Sequence, residues 1–243
     1  MAMRRTILSG VTAFGAVLLL GCDSLVPVTA DLAGGEPTFP KPDRPVAKVV
    51  SNQFANEDAR DQRNEAQVVM DLAKIRAGMT VADIGAGEGY YTVRLADRVG
   101  ADGRVLAQDI SREALERLGR RVEKDRLENI SIKLGDVDDP QLPPDSFDRV
   151  FMVHMYHEVA EPYAFLWNLW PALNSGGQII VVEADSPVGR HGLPHTLLFC
   201  EFEAVGYVLV EYIERPDIKG YFARFQRGSA RTAPEAIKVC DAG

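Results

Sequence analysis

Cysteine is scarce in this chain: three residues in 243, namely Cys22, Cys200 and Cys240, with no two in a Cys-x-x-Cys spacing. A cysteine zinc site is therefore excluded. Long apolar runs are missing too. Residues 7–20 supply 14 apolar or small side chains, short of the ~20 that a transmembrane helix needs. Positive charge is in deficit, with 27 Lys and Arg against 35 Asp and Glu, and no basic run lies near the candidate cleft. A nucleic-acid partner thus has little electrostatic support, and the net charge of −8 needs no reason beyond solubility. Histidine occurs at four positions, and no internal repeat is apparent.

What the chain does have is closely spaced glycine. Val81, Ala82, Asp83 and Ile84 read as a buried strand, Gly85, Gly87 and Gly89 follow at alternate positions, and residues 92–99 continue at helical spacing. A strand entering a helix through such a turn brings backbone close to a ligand and aims free N–H groups at it. The dinucleotide pattern Gly-x-Gly-x-x-Gly is not met, because Tyr90 stands at its third glycine. A second strand, residues 104–109, ends in Asp109, which lies 20 residues beyond Gly89, where an α/β nucleotide site places a ribose-binding carboxylate. Ser111 is a candidate N-cap for a helix reaching about Arg126, with Glu113 in its first turn. Residues 131–134, 148–153 and 178–183 read as three more strands. Gly135, Asp136 and Val137 follow the first of these, and His154 to Glu158 follow the second. Pro162 suits the start of a helix through Leu173, and Asn174, Ser175, Gly176 and Gly177 break it. A helix over 193–205 then precedes two strands, 207–213 and 221–226, joined by a short loop and hence antiparallel.

The run Asp83-Ile84-Gly85-Ala86-Gly87-Glu88-Gly89 resembles the first motif of class I S-adenosylmethionine-dependent methyltransferases, and the order of strands, acids and glycines extends the resemblance over about residues 60–226. It implies an α/β, Rossmann-like seven-stranded sheet, mostly parallel with a C-terminal antiparallel hairpin and with helices on both faces. It also implies S-adenosyl-L-methionine as cofactor. Gly85, Ala86, Gly87 and Gly89 would then admit the methionine portion, with Asp83 orienting the turn. Asp109 and Ile110 would hold the ribose side, and Asp136 and Val137 the adenine. The chain lacks the Asn/Asp-Pro-Pro-Tyr/Phe/Trp element of amino-methyltransferases and the cysteines expected for arsenite methylation. The resemblance leaves the acceptor, expected to be a small molecule, unnamed. The whole chain resembles predicted exported or lipoprotein methyltransferases of proteobacteria.

His154 and His157 follow the fourth strand, at the carboxyl edge where ligands bind in open α/β sheets. His157, with Tyr156 and Glu158, is the candidate catalytic base; the other reading is that these histidines cap the strand and bond neighbouring loops. His195 could approach from a later loop, but His-x-x-His-Glu is not the zinc-protease arrangement, and no metal is expected.

Arg4 and Arg5 before the apolar core, and Leu19-Leu20-Gly21-Cys22 after it, resemble a bacterial signal peptide and lipobox. The expected organisation is a signal peptide over 1–21, lipidation at Cys22, a proline-rich tether over 22–56, the catalytic domain over 57–226 and a tail over 227–243. Residues 57–74 are expected as one helix covering the ligand side or the sheet edge. The domain would sit on the periplasmic side of a membrane; an uncleaved or misassigned N-terminus would leave it in the cytoplasm. S-adenosylmethionine is made in the cytosol, so export raises a second reading, a non-catalytic lipoprotein that binds a small ligand in the same pocket. Cys200 and Cys240 either form a disulfide or stay as thiols, Cys200 in an apolar setting.

Overall fold

The structure, a computed structural model, describes residues 37–48 and 56–241. The signal-peptide and lipobox residues, Cys22 among them, lie outside the described residues. Seven strands form one sheet: β1 (Thr80–Ile84), β2 (Arg104–Asp109), β3 (Ile130–Leu134), β4 (Phe147–Val153), β5 (Leu173–Glu183), β6 (Tyr207–Arg215) and β7 (Gly220–Arg227), in the order β3-β2-β1-β4-β5-β7-β6. The first five are mutually parallel, and β7 is antiparallel to both β5 and β6. This is the Rossmann-like sheet with a closing hairpin that the sequence implies.

Alternation along the strands divides the core into two layers. Ala82, Ile84, Val150, Met152, Ile179, Val181 and Phe225 face α5 (Pro162–Leu169) and α6 (His195–Val205), meeting Leu166, Leu197 and Phe202. Val81, Phe151, Ile180, Val182 and Phe222 face the other way, against Leu95 and Val99 of α3 (Tyr90–Val99) and Val69 and Met70 of α2 (Glu65–Leu72). Between β2 and β3, α4 (Arg112–Asp125) starts on Ser111, whose Oγ accepts the Ala114 N–H at 3.2 Å, as its spacing predicts.

Three expectations change. The single N-terminal helix is two, α1 (Glu57–Gln62) and α2, separated at Asn64, which adopts a left-handed φ of 55°; asparagine tolerates that conformation better than most residues. The helix through Leu173 stops at Leu169, passing through a 3-10 turn (Trp170–Ala172), and β5 begins at Leu173 rather than after the glycines. Gly176 and Gly177 instead sit within a register shift, where pairing steps from Phe147–Leu173 to Arg149–Gln178, and a Cβ on Gly177 would come 2.5 Å from the Phe147 carbonyl.

Finally, residues 37–48, placed by the sequence in the tether, pack on the domain. The buried Arg44 donates to Glu201 Oε1 (2.8 Å) and to the Val159 carbonyl (3.0 Å), and the Ala47 N–H donates to the His157 carbonyl (3.2 Å). Proline suppresses regular secondary structure there, so nothing in the periodicity revealed that these residues are bound.

The tail is fixed as well. Cys200 and Cys240 form a disulfide, Trp167 donates to the Thr232 carbonyl (3.1 Å), and the Cys240 N–H donates to Tyr163 Oη (2.7 Å). A cross-link over a separation of 40 residues restricts the unfolded chain by about 3–4 kcal/mol in the chain-entropy account. Among the described residues, no helix is long and apolar enough to cross a membrane.

Candidate functional site

A cleft of about 380 Å³ opens at the carboxyl ends of β1, β2 and β4. Gly85, Ala86 and Gly87 form its floor, in the turn between β1 and α3. Gly87 has a φ of +55° and a Cβ there would meet no atom within 4 Å, so the turn presents bare backbone to open space. Gly89 has a different task. It does not line the cleft; it caps α3 at a φ of 88°, and a Cβ would come 2.4 Å from Leu118 Cδ1. Glycine here lets α3 and α4 approach.

The acids divide likewise. Asp109 ends β2 at the cleft wall, where Oδ2 accepts the Gly87 N–H and Oδ1 the Ser111 N–H, both at 2.8 Å. These bonds fix the carboxylate and tie the glycine turn to β2, leaving further lone pairs for a ligand's hydroxyls. Ile110 and Val137 are apolar yet 42% and 53% exposed, and both line the cleft with Asp136. Such a pair suits the two faces of a flat base. Asp83 lies beneath the turn, 3% exposed, accepting from Thr92 Oγ1 at 2.6 Å.

The opposite wall comes from α1 and the segment after β4. Arg60 lines the cleft and donates to Glu65 Oε1 (3.0 and 2.6 Å), with its guanidinium 3.8 Å from the centre of the Tyr90 ring. Tyr91 Oη also donates to Glu65 (3.2 Å), and His154 Nε2 stands 3.5 Å from it. Burial favours the neutral form of Glu65, but hydrogen bonding from His154 and the charge of Arg60 overcome it and hold the pKa at about 2. The charged start of the N-terminal segment carries no periodic signal that would single out Arg60 or Glu65.

His154 and Glu158 line the cleft, whereas His157 does not. A 3-10 turn (Tyr156–Glu158) rotates His157 inward to 0% exposure, where Nδ1 donates to Glu183 Oε2 (2.9 Å) at the end of β5. Burial disfavours its charged form, yet the hydrogen bond and charge of Glu183 leave its pKa above the ordinary value. The candidate base therefore stands behind the wall, 3.9 Å from Glu158 Oε1. The histidine beside it is His191, with ring centres 5.8 Å apart. His195 is instead bonded to Asp185 (2.9 Å).

Burial, reinforced by Asp109 and opposed by Thr92 and Arg60, pushes the Asp83 carboxyl up from 3.8 to about 6. Between these values the folded protein holds a proton that the unfolded chain has released. The group's contribution to stability is therefore greatest below the lower value and is lost as pH rises through the higher one. Asp83→Asn keeps an oxygen for Thr92 and removes the charge. In thermal melts without ligand it is expected to be more stable than wild type by about 2–3 kcal/mol at about pH 7.5, with the gain vanishing near about pH 4. A loss of stability at neutral pH would contradict this account.

The comparisons with known proteins agree with this geometry. The family profile described as a methyltransferase domain matches residues 75–198, half of the chain. The ubiquinone/menaquinone biosynthesis C-methyltransferase UbiE of Methylococcus capsulatus is 34% identical over 118 residues, 48% of this chain and 48% of that protein. The demethylmenaquinone methyltransferase of Symbiobacterium thermophilum is 34% identical over 116 residues, 47% and 46% of the two chains. The chain thus spans about half the length of the curated relatives it matches. Among solved structures, a SAM-dependent methyltransferase from Aquifex aeolicus superposes with a TM-score of 0.66 at 23% identity, covering 73% of this chain and 98% of that one, a likeness of fold. A glycine turn open to the cleft, a fixed carboxylate at the end of β2 and an apolar pair for a base fit S-adenosylmethionine, the expected cofactor. The chain belongs to the methyltransferase-domain family.

Proposed function

We propose that this protein methylates a small-molecule acceptor, which enters the cleft beside the end of β4. The observation that carries the reading is the convergence of the open Gly87 turn and the anchored Asp109 carboxylate on one cleft that also holds His154 and Glu158. When bound, S-adenosylmethionine supplies an electrophilic methyl group on a sulfonium. The residues would bind and orient it: Asp109 would accept from the ribose hydroxyls, Ile110 and Val137 would enclose the adenine with Asp136 at its edge, and Gly85 to Gly87 would receive the methionine portion. Among the described residues, Arg60 is the one Lys or Arg in the cleft wall, and it would meet the carboxylate of that portion. Alignment supplies much of the acceleration in such a transfer. Met155, Val159, Ala160 and Phe165 make the acceptor side largely apolar, and His154 is the group placed to take a proton from the acceptor. The names of the quinone-pathway relatives do not extend to the acceptor here, because the matches cover half of each chain.

In calorimetry, the full chain is expected to bind S-adenosylmethionine and S-adenosylhomocysteine, and Asp109→Ala to weaken both by about 1.5–3 kcal/mol through loss of charge-assisted bonds to two hydroxyls. Binding of NAD in place of either ligand would contradict the reading.

We further propose that the chain is exported and lipidated at Cys22, on the periplasmic side of a membrane. The Cys200–Cys240 disulfide supports this, since disulfides persist in oxidising compartments. Cys22→Ala is expected to abolish lipid labelling and to release the protein from the membrane fraction or leave an uncleaved precursor. Unchanged fractionation and migration would contradict export by this route.

A further inference from the structure

One buried atom beside the cleft is unexplained by methyl transfer. His157 is fully buried, its Nδ1 is committed to Glu183, and its Nε2 has no hydrogen-bond partner among the described residues. An unsatisfied buried polar atom costs about 1–3 kcal/mol, so its retention asks for a ligand. Nε2 points to a place shared by two other donors. Glu158 Oε1 is 3.9 Å away, and the ring of His191 meets the His157 ring edge-on. One ligand atom from each of His157, Glu158 and His191 falls within 4.8 Å of the others. Three protein donors on a tetrahedral zinc ion stand about 3.4 Å apart at ordinary Zn–N and Zn–O lengths. Glu158 and His191 are only partly buried, so side-chain rotation on binding would close that gap, with His157 as the fixed point.

We propose that His157 Nε2, Glu158 and His191 bind one divalent transition-metal ion of the zinc type. Two imidazoles and a carboxylate are the donors such ions prefer over magnesium or calcium. Three protein ligands also leave one position open, as reactive rather than structural zinc sites do. Glu183 completes the arrangement from behind. A carboxylate on Nδ1–H fixes the tautomer, turns the ring and makes Nε2 the better donor, the outer-shell pattern of metal-bound histidine. Because Glu158 also lines the cleft, the open position faces the acceptor side and takes a water or an oxygen of the molecule bound there. This departs from the sequence expectation of no metal. That expectation paired His154 and His157 with His195, whereas the fold brings up His191, held at a left-handed φ of 54° after a 3-10 turn (Val188–Arg190). The site stands independently of the methyl-transfer reading.

The test uses the full chain, stripped with a chelator and titrated with Co²⁺ or Zn²⁺ alone. Cobalt absorption, calorimetry and melting temperature are the readouts. One equivalent is expected to bind and to raise the melting temperature by mass action. Glu183→Gln is expected to weaken binding about 10–100-fold, and His191→Ala and Glu158→Gln at least as much. His195→Ala is expected to bind as wild type does. Circular dichroism checks the fold of each variant, and the partly exposed His191 and Glu158 carry the test because the buried His157 is riskier to replace. The absence of a saturable single site, affinity unmoved by His191→Ala, or equal weakening by His195→Ala would overturn the proposal. A parallel titration with S-adenosylhomocysteine separates the two readings: metal without cofactor keeps this site and removes the methyl-transfer assignment, and cofactor without metal removes this site alone.

Discussion

The site depends on one constraint, the reversal of strand order at β1. The chain steps outward from β1 to β2 and β3, then returns to place β4 on the other side of β1. The connections after β1 and β4 therefore leave in opposite directions, and a crevice opens between them at the carboxyl edge. The glycine turn, Asp109 and the loop after β4 meet there because right-handed crossovers put them there. The hydrogen bond from Gly87 to Asp109 closes the arrangement locally. It fixes the turn without ligand, so binding has less backbone to order.

Two buried ion systems flank this crevice, and each supports one wall. Arg60, Glu65, Tyr91 and His154 join α1 and α2 to the end of β4, and His157 with Glu183 joins the following turn to the end of β5. Buried pairs of this kind contribute little net stability compared with apolar packing, but removing one partner is costly because the other stays buried and charged. Their effect is positional. They hold His154 and Glu158 at the cleft surface and keep His157 behind it.

The sheet, and the glycine turn and the acid at its carboxyl edge, were legible in the sequence because local rules dictate them. Alternating strand and helix patterns, the glycine spacing after Asp83 and the acid at Asp109 all express backbone geometry that a short segment must satisfy. The acceptor wall was not legible, since it is assembled from residues distant in sequence. Arg44 reaches Glu201, Arg60 reaches toward the glycine turn, and His191 meets His157 from a loop without periodicity. His157 was singled out as the candidate base, but a three-residue 3-10 turn that no spacing rule marks directs it behind the cleft wall. Gly89 illustrates the converse: the motif named it, and packing against Leu118 rather than ligand contact explains it.

A crystal structure of the full chain with S-adenosylhomocysteine tests the central claim most directly. The account predicts adenine between Ile110 and Val137, the ribose hydroxyls on Asp109 and the amino-acid portion over Gly85 to Gly87 toward Arg60. A ligand bound elsewhere, or bound in this cleft with no contact to Asp109, would contradict it.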